Sequence, residues 1–152
     1  MAKAAIIYES VFGNTKQVAG AIAEGLGEGG VNATLHELKN FDAGTLKDYD
    51  AILVGSPNHV GGATIAIRRF IGKLGKLKLE GKWVAAFDTY GGSAHAQALK
   101  KMSDSLADSA PGMRLVTPGL SVKVMGMKGP IAEGELPRCR EFGKSLAARL
   151  KG

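Results

Sequence analysis

Ala4-Ala5-Ile6-Ile7-Tyr8 runs straight into Glu9-Ser10-Val11-Phe12-Gly13-Asn14-Thr15 and then into a helical pattern carrying Val18, Ile22 and Leu26. The order is strand, polar glycine-containing loop, helix. A helix start leaves its first N–H groups unpaired and carries about half a positive charge, so a loop of hydroxyls and small residues there can wrap an anionic phosphate. Ser10, Asn14 and Thr15 offer side-chain donors, and Gly13 lets the backbone turn inward. The same Ser, Asn and Thr also serve as ordinary helix caps. The loop lacks the lysine of the nucleotide-hydrolysing phosphate loop and the three spaced glycines of the dinucleotide fingerprint, which speaks against NTP hydrolysis and NAD binding.

Outward from this stretch, apolar and amphipathic segments alternate. They predict strands near 3–8, 31–37, 50–55, 82–88 and 114–122, and helices near 14–28, 65–75, 94–108 and 136–151. That alternation marks an α/β, doubly wound parallel sheet. Ala51-Ile52-Leu53-Val54 is continuously apolar, as a central strand covered on both faces requires. Ile67, Phe70, Ile71 and Leu74 give the helix after it an apolar stripe, with Arg68, Arg69 and Lys73 on the solvated side. In the last helix Cys139, Phe142, Leu146 and Leu150 share a stripe, which makes Cys139 a small core residue. Residues 38–49 predict irregular structure or a short helix.

With 152 residues, 45% of them hydrophobic, the chain reads as one domain spanning 1–152. One cysteine forms no internal disulfide, no secretory segment precedes the first strand, and no apolar run is long enough to span a membrane, so a cytoplasmic protein is expected. Glycine, at 22 residues, is about twice its ordinary usage. The formal charge is +6, and its excess sits late: residues 1–99 carry 10 basic and 9 acidic groups, residues 100–152 carry 10 and 5. No nucleic-acid recognition motif or aromatic cluster accompanies these charges, so no nucleic-acid partner is expected.

In an open parallel sheet, ligands sit at the carboxyl ends of the strands, where the strand order reverses. Three loops leave such ends. The first is Glu9 to Thr15; the second, Gly55-Ser56-Pro57-Asn58-His59-Val60-Gly61-Gly62-Ala63, follows the third strand; the third, Asp88-Thr89-Tyr90-Gly91-Gly92-Ser93, follows the fourth. His59 and Tyr90 each put a flat side chain beside a Gly-Gly pair, so two neighbouring loops can sandwich a ring while glycine backbone reaches its polar edge. Each loop alone is equally a surface turn. Together with a phosphate loop on the same edge they point to a phosphorylated planar ring system, FMN.

These loops, in this order and spacing, give a resemblance that covers essentially the whole chain. Tyr8 to Thr15, Gly55 to Gly62 and Asp88 to Gly91 resemble the phosphate loop and the two flavin loops of short-chain flavodoxins. The resemblance implies a five-stranded sheet in order 2-1-3-4-5 within a three-layer sandwich, non-covalent FMN, and one-electron transfer between protein partners. It implies FMN contacts from Ser10, Val11, Phe12, Gly13, Asn14 and Thr15 at the phosphate, from Ser56, Pro57, Asn58, His59, Val60, Gly61 and Gly62, and from Asp88, Thr89, Tyr90, Gly91 and Gly92. Tyr90 would stack on one ring face and His59 stands where the family often has tryptophan on the other. The peptides of Val60, Gly61 and Gly62 lie where a carbonyl is expected to turn toward flavin N5. Phe12 departs from the family's usual hydroxyl residue, as in flavodoxin domains of larger oxidoreductases. Arg68 and Arg69 depart from its usual acidic surround.

The chain shows no catalytic base, metal cluster or activated nucleophile, so no catalytic or metal-ligating residue is assigned and an electron carrier is expected. Its partners would be redox proteins, acidic ones such as ferredoxin given the basic face, with the protein a monomer or weak dimer. The alternative is a flavodoxin-fold NAD(P)H-dependent quinone or nitro reductase, in which Val124-Met125-Gly126-Met127-Lys128-Gly129-Pro130 would cover a substrate pocket.

Overall fold

A computed structural model describes residues 2–151. Six parallel strands make one sheet: β1 (Lys3–Tyr8), β2 (Asn32–Glu37), β3 (Ala51–Pro57), β4 (Trp83–Tyr90), β5 (Arg114–Leu115) and β6 (Leu120–Lys123). They run in the order β2-β1-β3-β4-β5, the order that the resemblance implies; a sixth strand, β6, also pairs with β4. Neighbouring residues of β1 point to opposite faces. Ile6 joins a core with α1 (Asn14–Glu28) and α4 (Glu135–Lys151). Ile7 joins the opposite core with α2 (Ile65–Leu74) and α3 (Gln97–Ser109). The result is a three-layer sandwich with β1 and β3 sealed at its centre.

The fifth strand departs from expectation. Residues 114–122 are read as one strand, but the ladder opens between Leu115, opposite Val84, and Leu120, opposite Phe87. Five steps on this side face three on β4, so two residues bulge out. Pro118 brings no N–H to the ladder, and Gly119 turns at φ +81° so close to β4 that a Cβ would lie 2.5 Å from the Ala86 carbonyl oxygen. Between β2 and β3 the chain makes two short 3₁₀ turns, Leu38–Asn40 and Ala43–Asp48, in place of a crossover helix.

The inner stripe of α4 is Cys139, Gly143, Leu146 and Ala147; Phe142 and Leu150, expected on it, sit at its flanks, partly buried. The cause is the closeness of α1. A Cβ on Gly143 would stand 2.2 Å from the Ile22 carbonyl oxygen, and one on Gly25 would stand 2.0 Å from that of Arg140. Two backbones in contact leave no room for large side chains along the seam. Burial pushes the Cys139 thiol up to about 12, which keeps it a neutral core group.

Helical propensity favours alanine over glycine by about 1 kcal/mol. Gly143→Ala nonetheless must push two helices apart, and overpacking of this kind costs about 1–3 kcal/mol. Gly20 lies in α1 with open space where a Cβ would stand, no atom of the described residues beyond its own stretch of helix coming within 4 Å. Chemical denaturation is therefore expected to show Gly143→Ala less stable than the parent and Gly20→Ala as stable or more so.

Candidate cofactor cleft

β1 delivers its carboxyl end to a loop that closes on α1 through Gly13, which takes φ +92° as the residue before the helix. The Ser10 hydroxyl oxygen accepts the Gly13 N–H at 3.1 Å and, more distantly, the Lys16 N–H at 3.4 Å. Its own proton stays available. Among the described residues the N–H groups of Val11, Phe12, Asn14 and Thr15 have no hydrogen-bond partner. Four free donors at the positive end of a 15-residue helix make an anion cradle. Thr15 is buried, its hydroxyl 3.0 Å from that of Thr89. It can donate to a ligand when Thr89 donates to it.

The second loop begins later than the sequence suggests. Ser56 and Pro57 still belong to β3, paired with Asp88 and Thr89. Ser56 is fully buried: its hydroxyl accepts the Thr64 N–H at 3.0 Å and donates to the Pro57 carbonyl at 2.8 Å. These bonds hold the start of α2, and Ser56, expected at the ligand, does not line the cavity between the loops. The Asn58 N–H donates to the Thr89 carbonyl at 2.8 Å, while its side-chain Oδ1 is buried with no partner among the described residues. Beyond it His59 and Gly62 exchange N–H···O bonds at 2.6 and 3.1 Å around Val60 at φ +49° and Gly61 at φ +81°. Two positive values make a hairpin turn that suits glycine or asparagine, and Val60 occupies its first position against that preference.

β4 likewise runs on through Tyr90. Asp88, expected at the ligand, is fully buried on the α3 side. One carboxylate oxygen accepts the Leu99 N–H at 2.9 Å, the other the Ser121 hydroxyl proton at 2.6 Å, and Ser121 accepts the Ala96 N–H at 2.9 Å. Burial raises the Asp88 carboxyl above its usual range; the Ser121 and Leu99 donors pull the other way. The chain holds the turn leading into α3, where Ala96 adopts φ +59°. Tyr90 meets the His95 ring edge-on at 5.3 Å, and burial raises its phenol, with the Glu135 and Asp88 charges adding. Gly91 and Gly92 are exposed beside it.

The three loops meet around a cavity of about 150 Å³ lined by Ser10, Asn14, Asn58, His59, Thr89 and Tyr90 among others. Its remaining wall is Val124, Gly126 and Met127. The segment that the reductase alternative would place over a substrate pocket thus lines this cleft, with Gly129 so close to the start of α1 that a Cβ would stand 2.6 Å from Asn14 Oδ1. Lys101 of α3 is a second finding that spacing along the chain does not signal: a Cβ on Gly61 would lie 3.8 Å from its ammonium nitrogen. The arrangement suits an anion at α1, a hydroxyl or N–H donor at Asn58 and a flat ring near Tyr90 and His59, which are the parts of FMN.

Two outcomes test this geometry. Left-handed φ costs an L-residue about 1–2 kcal/mol and asparagine less, so Val60→Asn, which replaces a fully exposed apolar side chain, is expected to raise stability by about 1 kcal/mol. A carboxyl whose folded pKa is raised binds its proton more tightly in the folded state, so its contribution falls as pH rises from the ordinary 3.8 through the raised value. Unfolding free energies of the parent minus those of Asp88→Asn should decline across that window and level off above it.

The flavodoxin domain profile matches residues 5–127. A flavodoxin of Aquifex aeolicus is 32% identical, over 97% of this chain and 86% of its own length. The Type A flavoprotein fprA of Rhodobacter capsulatus is 32% identical over 97% of this chain, which spans 33% of that relative's length. Among solved structures, a flavodoxin from the domain Archaea superposes with a TM-score of 0.86 at 26% identity, covering 99% of both chains. No helix of the described residues is long and apolar enough to cross a membrane. The chain belongs to the flavodoxin family of FMN-binding proteins.

Proposed function

We propose that this protein is an electron carrier that holds one FMN in the cleft and passes single electrons between redox proteins. The observation that carries the reading is the pairing of two unmet needs in one cavity: free N–H donors at the start of α1 and the orphaned Asn58 Oδ1. A buried amide oxygen without a donor costs about 1–3 kcal/mol, which a bound ligand recovers. FMN, when bound, supplies the redox chemistry. Ser10, Asn14 and the backbone of Val11 to Thr15 would hold its phosphate, Asn58 would accept from its polar chain or ring, and Tyr90 and His59 would face the ring. Val60 to Gly62 would present backbone to the ring edge, and Lys101 would set a positive charge behind that turn.

The same proposal takes acidic redox proteins such as ferredoxin as partners, supported by Arg68 and Lys101, which line the groove beside the cleft and form no ion pair among the described residues. Arg69, grouped with Arg68 on sequence grounds, is exposed on α2 but does not line the cleft edge. A cytoplasmic setting and a monomer or weak dimer complete the proposal; the buried Cys139 thiol fits a reducing compartment.

Hydrogen bonds to a charged group are worth about 1.5–3 kcal/mol, so Ser10→Ala is expected to weaken FMN about ten- to a hundredfold while changing riboflavin affinity little. Fluorescence titration with both flavins reads the difference, and equal losses would place the phosphate elsewhere. Sustained NADH consumption by the flavin-loaded protein with a quinone acceptor would replace the carrier reading with that of a reductase.

A further inference from the structure

The exposed large hydrophobic side chains are not scattered. Among the described residues Val11, Phe12, Val60, Ile65, Met125 and Met127 all stand at the carboxyl end of the sheet; Leu35 on β2 is the exception. They come from the phosphate loop, the hairpin, the first residue of α2 and the segment before α4. Four separate pieces of chain thus present apolar surface to water around one cleft. Such concentration marks an interaction surface, whereas single exposed apolar residues need no explanation.

Beside the cofactor cleft lies a wider groove of about 890 Å³, on the β2 side, with His59, Ser10 and Val11 common to both. Leu38, Ala63 and Ile65 give it an apolar lining, and Lys39, Arg68 and Lys101 stand along it against Glu9 and Glu37. Lys39 is within 3.7 Å of Glu37. Arg68 and Lys101 form no ion pair among the described residues. They approach from different helices, one from α2 and one from α3. On the far side of the phosphate loop Lys128 sits 6.0 Å from the Phe12 ring, adding a further cation beside an exposed apolar group.

We propose that this groove is a docking subsite for an acidic segment of the partner redox protein, a proposal that rests on the carrier reading above. Carboxylates of the partner pair with Arg68 and Lys101, and its apolar side chains cover Val60 and Ile65. Complementary charge steers and orients the encounter, and the central apolar contacts hold it. The choice of a protein over a small anion follows from shape: Val60 is fully exposed and Ile65 more than half so, and only a surface larger than a small molecule covers both together with the groove. His59, the wall shared by groove and cleft, brings a partner seated there next to the cofactor.

The test uses the FMN-loaded protein with two probes of opposite charge, a plant-type [2Fe–2S] ferredoxin and a cytochrome c, with affinity measured by calorimetry across ionic strength. Ferredoxin is expected to bind at low salt and to weaken steeply as salt rises. Arg68→Glu with Lys101→Glu should weaken it about tenfold or more and flatten the salt dependence, while Lys47→Glu with Lys76→Glu, the same charge change at the opposite end of the sheet, should cost less than about twofold. Ile65→Gln should weaken it severalfold at every salt concentration. Unchanged ferredoxin affinity in the groove variant, or tighter binding of cytochrome c than of ferredoxin by the parent, overturns the docking proposal. Reduction and reoxidation by a small viologen dye checks the carrier reading separately: if that persists while the groove variant binds ferredoxin like the parent, the docking proposal alone fails.

Discussion

Thr89 ties the cleft together. Its hydroxyl meets that of Thr15 at the start of α1, its carbonyl accepts the Asn58 N–H from the second loop, and it leads into Tyr90 of the third. Three loops separated by long stretches of chain are thereby fixed by one residue at the end of one strand. The site can be placed this firmly because β4 itself is buried between its neighbours, with Pro57 paired opposite Thr89. Hydrogen bonds in so dry a position are hard to exchange for water, so the loops inherit the rigidity of the sheet.

That rigidity has an energetic counterpart. A preorganised cleft holds donors and acceptors toward a ligand before the ligand arrives, and the free N–H groups at α1 and the buried Asn58 Oδ1 are polar groups kept from better partners. The fold supplies the stability that this arrangement withholds. The α1–α4 seam contributes to it, since Gly25 and Gly143 allow backbone contact and so bring Val18, Ile22, Leu146 and Cys139 into one core. Binding in the cleft returns stability by mass action, which couples cofactor occupancy to the persistence of the fold.

The alternation of strands and helices and the three loops were legible because each rests on a local pattern: continuous apolar runs for buried strands, amphipathic stripes for helices, and glycines with hydroxyls at strand ends; the strand order came from the resemblance those loops carry. What escaped was decided across the sheet. Ser56 and Asp88 stand where the polar stretches Ser56-Pro57-Asn58 and Asp88-Thr89-Tyr90 begin, which makes them look like ligand-loop residues, yet pairing between β3 and β4 continues past them and both are buried. Strands covered on both faces carry no alternation that would have revealed this. The break at Pro118 and Gly119 was readable in principle, since proline within a strand run signals an interruption. Lys101 was not, because only the packing of α3 against the hairpin brings its ammonium group near Gly61.

The hairpin at residues 59–62 is where local preference and structure disagree most. A β-branched residue holds a left-handed conformation there while its side chain makes no buried contact that would repay it. The pair of hydrogen bonds between His59 and Gly62 closes the turn and holds Val60 in place. A turn held against the preference of its own residue lies closer in free energy to its alternatives than one built from glycine or asparagine, because part of the cost of leaving has already been incurred. Strain of about 1–2 kcal/mol is small against the whole fold but comparable to the difference between two orientations of one peptide. Val60 keeps that difference small at residues 59–62, while the Thr89 contacts hold the neighbouring loops in place.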